Sequence, residues 1–282
     1  MRIRLFCLTV LCLVMGFHPL PAQEVRNIWA GVDSIRAQVK MQVFLPAPES
    51  ATGEAVVILP GGSYHWLSRR VEGQEVARRL VQQGVAACVL YYRTAGFRYF
   101  MFGEWAVPPA AHHPAMFRDA ARALEVVRAQ AGPWGIDPDR IGLLGFSAGG
   151  HLALYTGEHA LPHPAFVAAV YPVVTMSDEE TVHRRSRRGL MGRDRRNASC
   201  REALSVEKTV PSDMPRTFLV VCQDDPVVDP RNAAAMDQAL ASASIPHEYH
   251  LFSDGGHGFG TSDGDFSAHV WFDRFIEWMR EE

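Results

Sequence analysis

Little in this chain is extreme, and each shortage closes off a class of function. The net charge is only −3, from 28 basic and 31 acidic residues among 282, so no overall field draws the protein to nucleic acid or an acidic membrane. Cysteine is scarce. Two of the five, Cys7 and Cys12, lie in the first apolar run, and Cys88, Cys200 and Cys222 form no paired ladder. That odd remainder argues against a disulfide framework, and Cys88 and Cys222, inside apolar strand-like runs, read as small buried hydrophobes. Long hydrophobic stretches are missing too: the run Leu5–Phe17 is too short for a comfortable membrane span. No internal repeat or low-complexity linker interrupts the chain. With 48% hydrophobic and 21% charged residues, a single globular domain is the economical reading.

The N-terminus reads as an export leader rather than as part of the fold. Arg2 and Arg4 precede the apolar run, and His18-Pro-Leu-Pro-Ala22 comes after it, which predicts a signal peptide over residues 1–22 cut after Ala22. No small residue precedes Cys7 or Cys12 as a lipoprotein signal needs. The expected mature protein is therefore secreted or periplasmic, without a membrane span, and its domain covers residues 23–282.

Alternation over Val39–Leu45 predicts an antiparallel or edge strand. From Ala55 a regular beat begins. Apolar runs at Ala55–Leu59, Val85–Tyr92, Ile141–Phe146, Phe166–Val174 and Phe218–Cys222 predict strands, and His247–Phe252 reads as one more. Helical spacing falls between and after them at Val71–Gln83, Met116–Ala131, Gly149–Gly157, Pro230–Ala243 and Phe266–Arg280. The pattern predicts an α/β fold, a mostly parallel sheet with helices on both faces. Two stretches break the beat: the aromatic-rich Thr94–His113, either core packing or a platform for sugar rings, and residues 176–214.

Ligands of such sheets bind beyond the carboxyl ends of the strands, so the residues just past each strand carry the functional signal. Leu59 leads into Pro60-Gly61-Gly62-Ser63-Tyr64, Phe146 into Ser147-Ala148-Gly149, Cys222 into Gln223-Asp224-Asp225, and Phe252 into Ser253-Asp254-Gly255-Gly256-His257. A hydroxyl, a carboxylate and an imidazole thus reach one edge of the sheet. Ser147, flanked by Gly145 and Gly149 on a sharp strand-to-helix corner, is the candidate nucleophile. His257 is the candidate base, because imidazole titrates near neutrality and can return the proton to a leaving group. Of the adjacent acids, Asp225 is favoured to orient His257, and Asp224 to serve the turn. The amides of Gly62, Ser63 and Ala148 are the expected oxyanion donors.

Taken together, PGGSY, GFSAGGH, DDPVV and GGHGFG resemble the α/β-hydrolase superfamily. More closely they resemble secreted bacterial esterases related to acetylxylan esterases and feruloyl-esterase-like domains. The resemblance covers Ala55 to the C-terminus and includes Trp134–Arg140 and Val182–Arg188. It implies the α/β-hydrolase fold, residues 176–214 as a small cap-like insertion, and a serine carboxylesterase acting on short acyl esters, chiefly acetyl, of plant polysaccharides, with no metal or organic cofactor. Pro60 and Ser63 depart from the family's HGGG-type loop. Eight arginines lie between Arg184 and Arg201 against one acid, Asp194. They form either a solvated, salt-bridged surface or a recognition patch, for which Arg184 and Arg187 are the candidates; Tyr64 is a candidate pocket residue. Two rivals stay open. A serine peptidase, amidase or lipase-like hydrolase of this fold would use the same residues, and a non-catalytic binding protein would be expected to have lost one of them.

Overall fold

Runs such as Ala-Val-Val-Ile-Leu have no polar face, so a strand made from one must be covered on both sides. The computed structural model describes residues 22–32 and 38–281. Residues 1–21, which carry nearly all of the expected leader, lie outside them. Among the described residues the strands are β1 (Ala22–Asn27), β2 (Lys40–Leu45), β3 (Ala55–Leu59), β4 (Ala86–Tyr91), β5 (Ile141–Phe146), β6 (Val167–Val170), β7 (Thr217–Cys222) and β8 (His247–Phe252). The helices are α1 (Glu75–Gln82), α2 (Phe97–Phe102), α3 (His113–Ala129), α4 (Ala131–Trp134), α5 (Ala148–His159), α6 (Arg184–Met191), α7 (Ala198–Ala203), α8 (Arg231–Ser242) and α9 (Trp271–Arg280).

The strands form one sheet in the order β1-β2-β4-β3-β5-β6-β7-β8. Pairing is antiparallel for β1 with β2 and β2 with β4, and parallel from β4 to β8. The mostly parallel sheet is thus as the alternation predicts; the edge position falls to β1, and β2 is interior. Alternate residues of the central strands point into two cores. Val57, Leu59 and Leu143 meet Met116 and Leu124 of α3, Leu152 of α5 and Met236 of α8. Val56, Ile58, Leu144 and Phe146 meet Val76 and Leu80 of α1 and Trp271 and Phe275 of α9.

Three elements differ most from the sequence reading. The helix expected over Val71–Gln83 opens with a wide turn at Arg70–Gln74, in which the Gln74 N–H donates to the Arg69 carbonyl five residues back. The strand expected to reach Val174 stops at Val170, because Tyr171 takes φ +40° and leaves the extended region. The aromatic stretch is not wholly irregular, since Phe97–Phe102 is helical. Within residues 176–214, α6 lies over the Gly62–His65 loop so closely that a Cβ on Gly189 would stand 2.5 Å from the Ser63 carbonyl oxygen.

Candidate active site

Register aligns the strand ends that carry the candidate residues. Leu59 of β3 is opposite Gly145 of β5, and Cys222 of β7 is opposite Phe252 of β8. Between β5 and α5 a single residue turns the chain, and Ser147 does so at φ 53°, ψ −118°, a region nearly closed to residues with a Cβ. Its flanking glycines are required by packing. A Cβ on Gly145 would lie 2.0 Å from the Gly149 carbonyl oxygen, and one on Gly149 would lie 1.9 Å from that of Leu59. Backbone bonds hold the corner: the Ser147 amide donates to Val170, and its carbonyl accepts from Gly150, His151 and Val173.

The three candidates for nucleophile, base and acid come together. His257 Nε2 is 3.0 Å from Ser147 Oγ, and His257 Nδ1 is 2.7 Å from Asp225 Oδ2. Asp225 Oδ1 also accepts the Val227 and Val228 amides, at 2.8 and 3.0 Å. A carboxylate only accepts, so the proton of neutral His257 sits on Nδ1 and the Nε2 lone pair faces the serine hydroxyl. Asp224 turns away, and its carboxylate takes the amides of Gly256 and, more weakly, Gly255 in the histidine loop.

Gly61 donates its amide to Glu72 Oε2 at 2.9 Å, while the amides of Gly62, Ser63 and Ala148 have no partner among the described residues. The loop winds through φ 134°, 54° and 61° at Gly62, Ser63 and Tyr64. At Gly62 a Cβ would lie 2.2 Å from the Trp66 carbonyl oxygen.

Two expected pocket residues are elsewhere. Tyr64 is fully buried, with Oη 2.7 Å from His151 Nδ1, and His151 Nε2 is 2.8 Å from the Leu204 carbonyl. The Tyr64 ring lies in the hydrophobic core behind the loop. Arg187 donates to both carboxylate oxygens of Glu179 and to the Met176 carbonyl, and Arg201 also binds Glu179, so Arg187 ties α6 to residues 176–179. Arg184 is exposed on α6 and borders a shallow hollow with Phe100 and Arg188. The aromatic stretch divides: Tyr99 stacks on buried His65, while Phe97, Phe102 and Trp105 face outward.

The motif reading passes over several groups near the site. His183, half-buried and 2.8 Å from Ser186 Oγ, is pushed down to about 4 by burial and Arg185, and it feels the charges of His257 and Asp225. Glu72 and Tyr171 are buried side by side behind the Gly61 amide. A lone acid on the apolar face of a helix-like stretch is the signal that marks Glu72. Away from the serine motif, His112, His113 and Asp194 bring one donor atom each within 4.8 Å of one another. That donor set suits a zinc-like ion, but its members are too far apart in the chain to read as a motif.

A family profile described as the alpha/beta hydrolase fold matches residues 104–261, a span that holds Ser147, Asp225 and His257. The acetylxylan esterase of Xylanibacter ruminicola is 30% identical over 228 residues, 78% of this chain and 44% of that protein. Endo-1,4-beta-xylanase B of Butyrivibrio fibrisolvens is 27% identical over 226 residues, 76% of this chain and 33% of that protein. The chain therefore spans less than half the length of either relative. Among solved structures, the acetyl ester-xyloside bifunctional hydrolase from Caldicellulosiruptor lactoaceticus superposes with a TM-score of 0.79 at 27% identity, over 92% of this chain and 96% of that one.

Proposed function

Because the chain belongs to the α/β-hydrolase family, we propose that it is a serine carboxylesterase, exported by its leader, that removes short acyl groups, chiefly acetyl, from plant polysaccharide or oligosaccharide esters. The observation that carries this reading is the continuous relay from Asp225 through His257 to Ser147, at 2.7 and 3.0 Å, beside three amides with no acceptor among the described residues.

On this reading His257 Nε2 takes the hydroxyl proton as Ser147 Oγ attacks the ester carbonyl. Asp225 stabilises the imidazolium that forms. The new oxyanion accepts from the amides of Gly62, Ser63 and Ala148, which are oriented before substrate arrives. Collapse of the tetrahedral intermediate breaks the bond to the alcohol, which leaves with the proton from His257. Water activated by the same imidazole then attacks the acyl-enzyme and releases the acid and free Ser147. The acetyl and plant-polysaccharide parts draw support from the acetylxylan esterase relative and from the acetyl ester-xyloside hydrolase.

Incubating the protein and its Ser147→Ala variant with p-nitrophenyl acetate, acetylated xylan and a peptide amide tests the proposal. The expected outcome is turnover of both esters, lowered at least ~10⁴-fold in the variant, and no amide cleavage. Undiminished turnover by the variant, or amide cleavage exceeding ester cleavage, would overturn it.

A further inference from the structure

Glu72 is a carboxylate in a costly place. It is 4% exposed and sits in the wide turn Arg70–Gln74, a local widening of the helix that re-aims its side chains. Both of its oxygens are engaged. Oε2 accepts from the Gly61 amide and Oε1 from the Tyr171 hydroxyl, each at 2.9 Å. Tyr171 Oη accepts in turn from the Gly260 amide at 3.2 Å, and the Gly260 carbonyl accepts from Trp271 Nε1 at 2.8 Å. One buried carboxylate therefore joins the loop after β3, the first residue after β6 and the loop after β8 that carries His257.

The contacts place this network against the reacting groups without touching substrate. The Tyr171 ring lies 4.5 Å, centroid to centroid, from the His257 imidazole. A Cβ built on Gly61 would lie 2.8 Å from Glu72 Oε2 and 2.9 Å from Ser147 Cβ, so the acid and the nucleophile close on the same glycine. Glu72 thus fixes the peptide that leads into the oxyanion loop; the next two peptides are held through the carbonyls of Gly61, which accepts from Ser68, and Gly62, which accepts from His65 and Trp66.

Accepting the esterase reading above, we propose that Glu72 is a positioning residue, holding the oxyanion loop through Gly61 and the base His257 through Tyr171 in a single arrangement. Stability alone would not favour a carboxylate here. Burying one costs more than two hydrogen bonds return, and an isosteric neutral group fills the same space. Burial indeed pushes the Glu72 carboxyl up, against the pull of the Tyr171 hydroxyl, the Gly61 amide and His257. Activity and stability should therefore separate on substitution.

The test uses the full chain with Glu72→Gln, Tyr171→Phe and the double variant. Three readouts are taken: thermal unfolding, kcat and KM on p-nitrophenyl acetate, and the downfield proton NMR signal of His257 Nδ1. Glu72→Gln is expected to unfold at or near the wild-type temperature. Its kcat should fall roughly ten- to hundredfold with KM changed less than about twofold, as for a misplaced catalytic constellation, and the His257 signal should shift. The double variant should be no slower than the slower single one, because both act along one path. A folded Glu72→Gln enzyme with kcat within about twofold of wild type, a loss that merely tracks unfolding, or additive losses would each overturn the inference. Should Glu72→Gln not fold, Tyr171→Phe, which keeps the ring on His257, carries the same expectations for kcat and for the His257 signal. If the wild type cleaves no ester, the esterase reading fails by itself. The His257 signal then decides separately: a shift in the folded variant supports the positioning role, and an unchanged signal overturns it.

Discussion

At Asp225 both carboxylate oxygens are occupied, one by His257 Nδ1 and the other by two backbone amides. Asp224, one residue earlier, holds only the backbone of the histidine loop. The two side chains are identical, so the difference lies in direction and burial: Asp225 is buried against His257 and Asp224 is exposed. Asp225→Asn, whose amide can donate to the imidazole and reverse its tautomer, is expected to lower kcat ~10³- to 10⁴-fold, and Asp224→Asn about tenfold or less. Steady-state kinetics on one acetyl ester checks both, and equal losses would contradict the assignment. A second residue-scale expectation concerns Tyr64. Its hydroxyl satisfies His151 Nδ1 in the core, so Tyr64→Phe should cost about 1–3 kcal/mol in urea unfolding and leave KM for small esters unchanged.

Among the elements, residues 176–214 are where physical detail most changes the sequence reading. Arginine-rich composition over residues 184–201 is equally compatible with recognition and with a surface held by ion pairs. Which arginine meets an acid depends on Glu179 and Glu104, outside that stretch, and both are salt-bridged to it. Arg187→Ala is accordingly expected to lower stability by about 1 kcal/mol and to affect p-nitrophenyl acetate and acidic sugar esters alike. Arg184→Ala should raise KM for the acidic sugar esters alone. Kinetics on the two substrate classes separates these outcomes. Elements whose residues all share one environment are the most legible. Ala55–Leu59 and Ile141–Phe146 are unbroken apolar runs, and their strands have those same bounds. β6 is shorter than its apolar run because Tyr171 takes φ +40°; Pro172, which cannot donate to a ladder, marks that end in the sequence, but not the turn of Tyr171 itself. The wide turn at Arg70–Gln74 has no period of its own to read.

For the whole molecule, the alternation of runs already implies that the candidate groups arrive at one sheet edge, because parallel strands end together. That is why Ser147, Asp225 and His257 can be named from loops alone. Glu72 can be marked as an acid on an apolar face, but its role cannot be read there: its partner Tyr171 lies 99 residues away, and only the folded chain brings them together. His151 shows the same limit and has a consequence for stability. Burial holds its imidazole down to about 4 from an ordinary value of 6.5. Between those values the unfolded chain binds the extra proton, so this group's contribution is intact above pH 6.5 and is lost as pH falls toward 4. The loss amounts to at most about 3 kcal/mol. Urea unfolding at pH 7 and pH 4.5 should show a smaller acid loss in His151→Gln than in wild type.

An acyl-enzyme on Ser147 can be trapped by acid-quenching the enzyme during turnover of p-nitrophenyl acetate and mapping the adduct by peptide mass spectrometry. One acetyl group is expected on the peptide containing Ser147, lost when the reaction runs to completion and absent from Ser147→Ala. Turnover with no covalent adduct under conditions that slow deacylation, or an acetyl group that accumulates and clears elsewhere in the chain, would contradict a Ser147 acyl-enzyme.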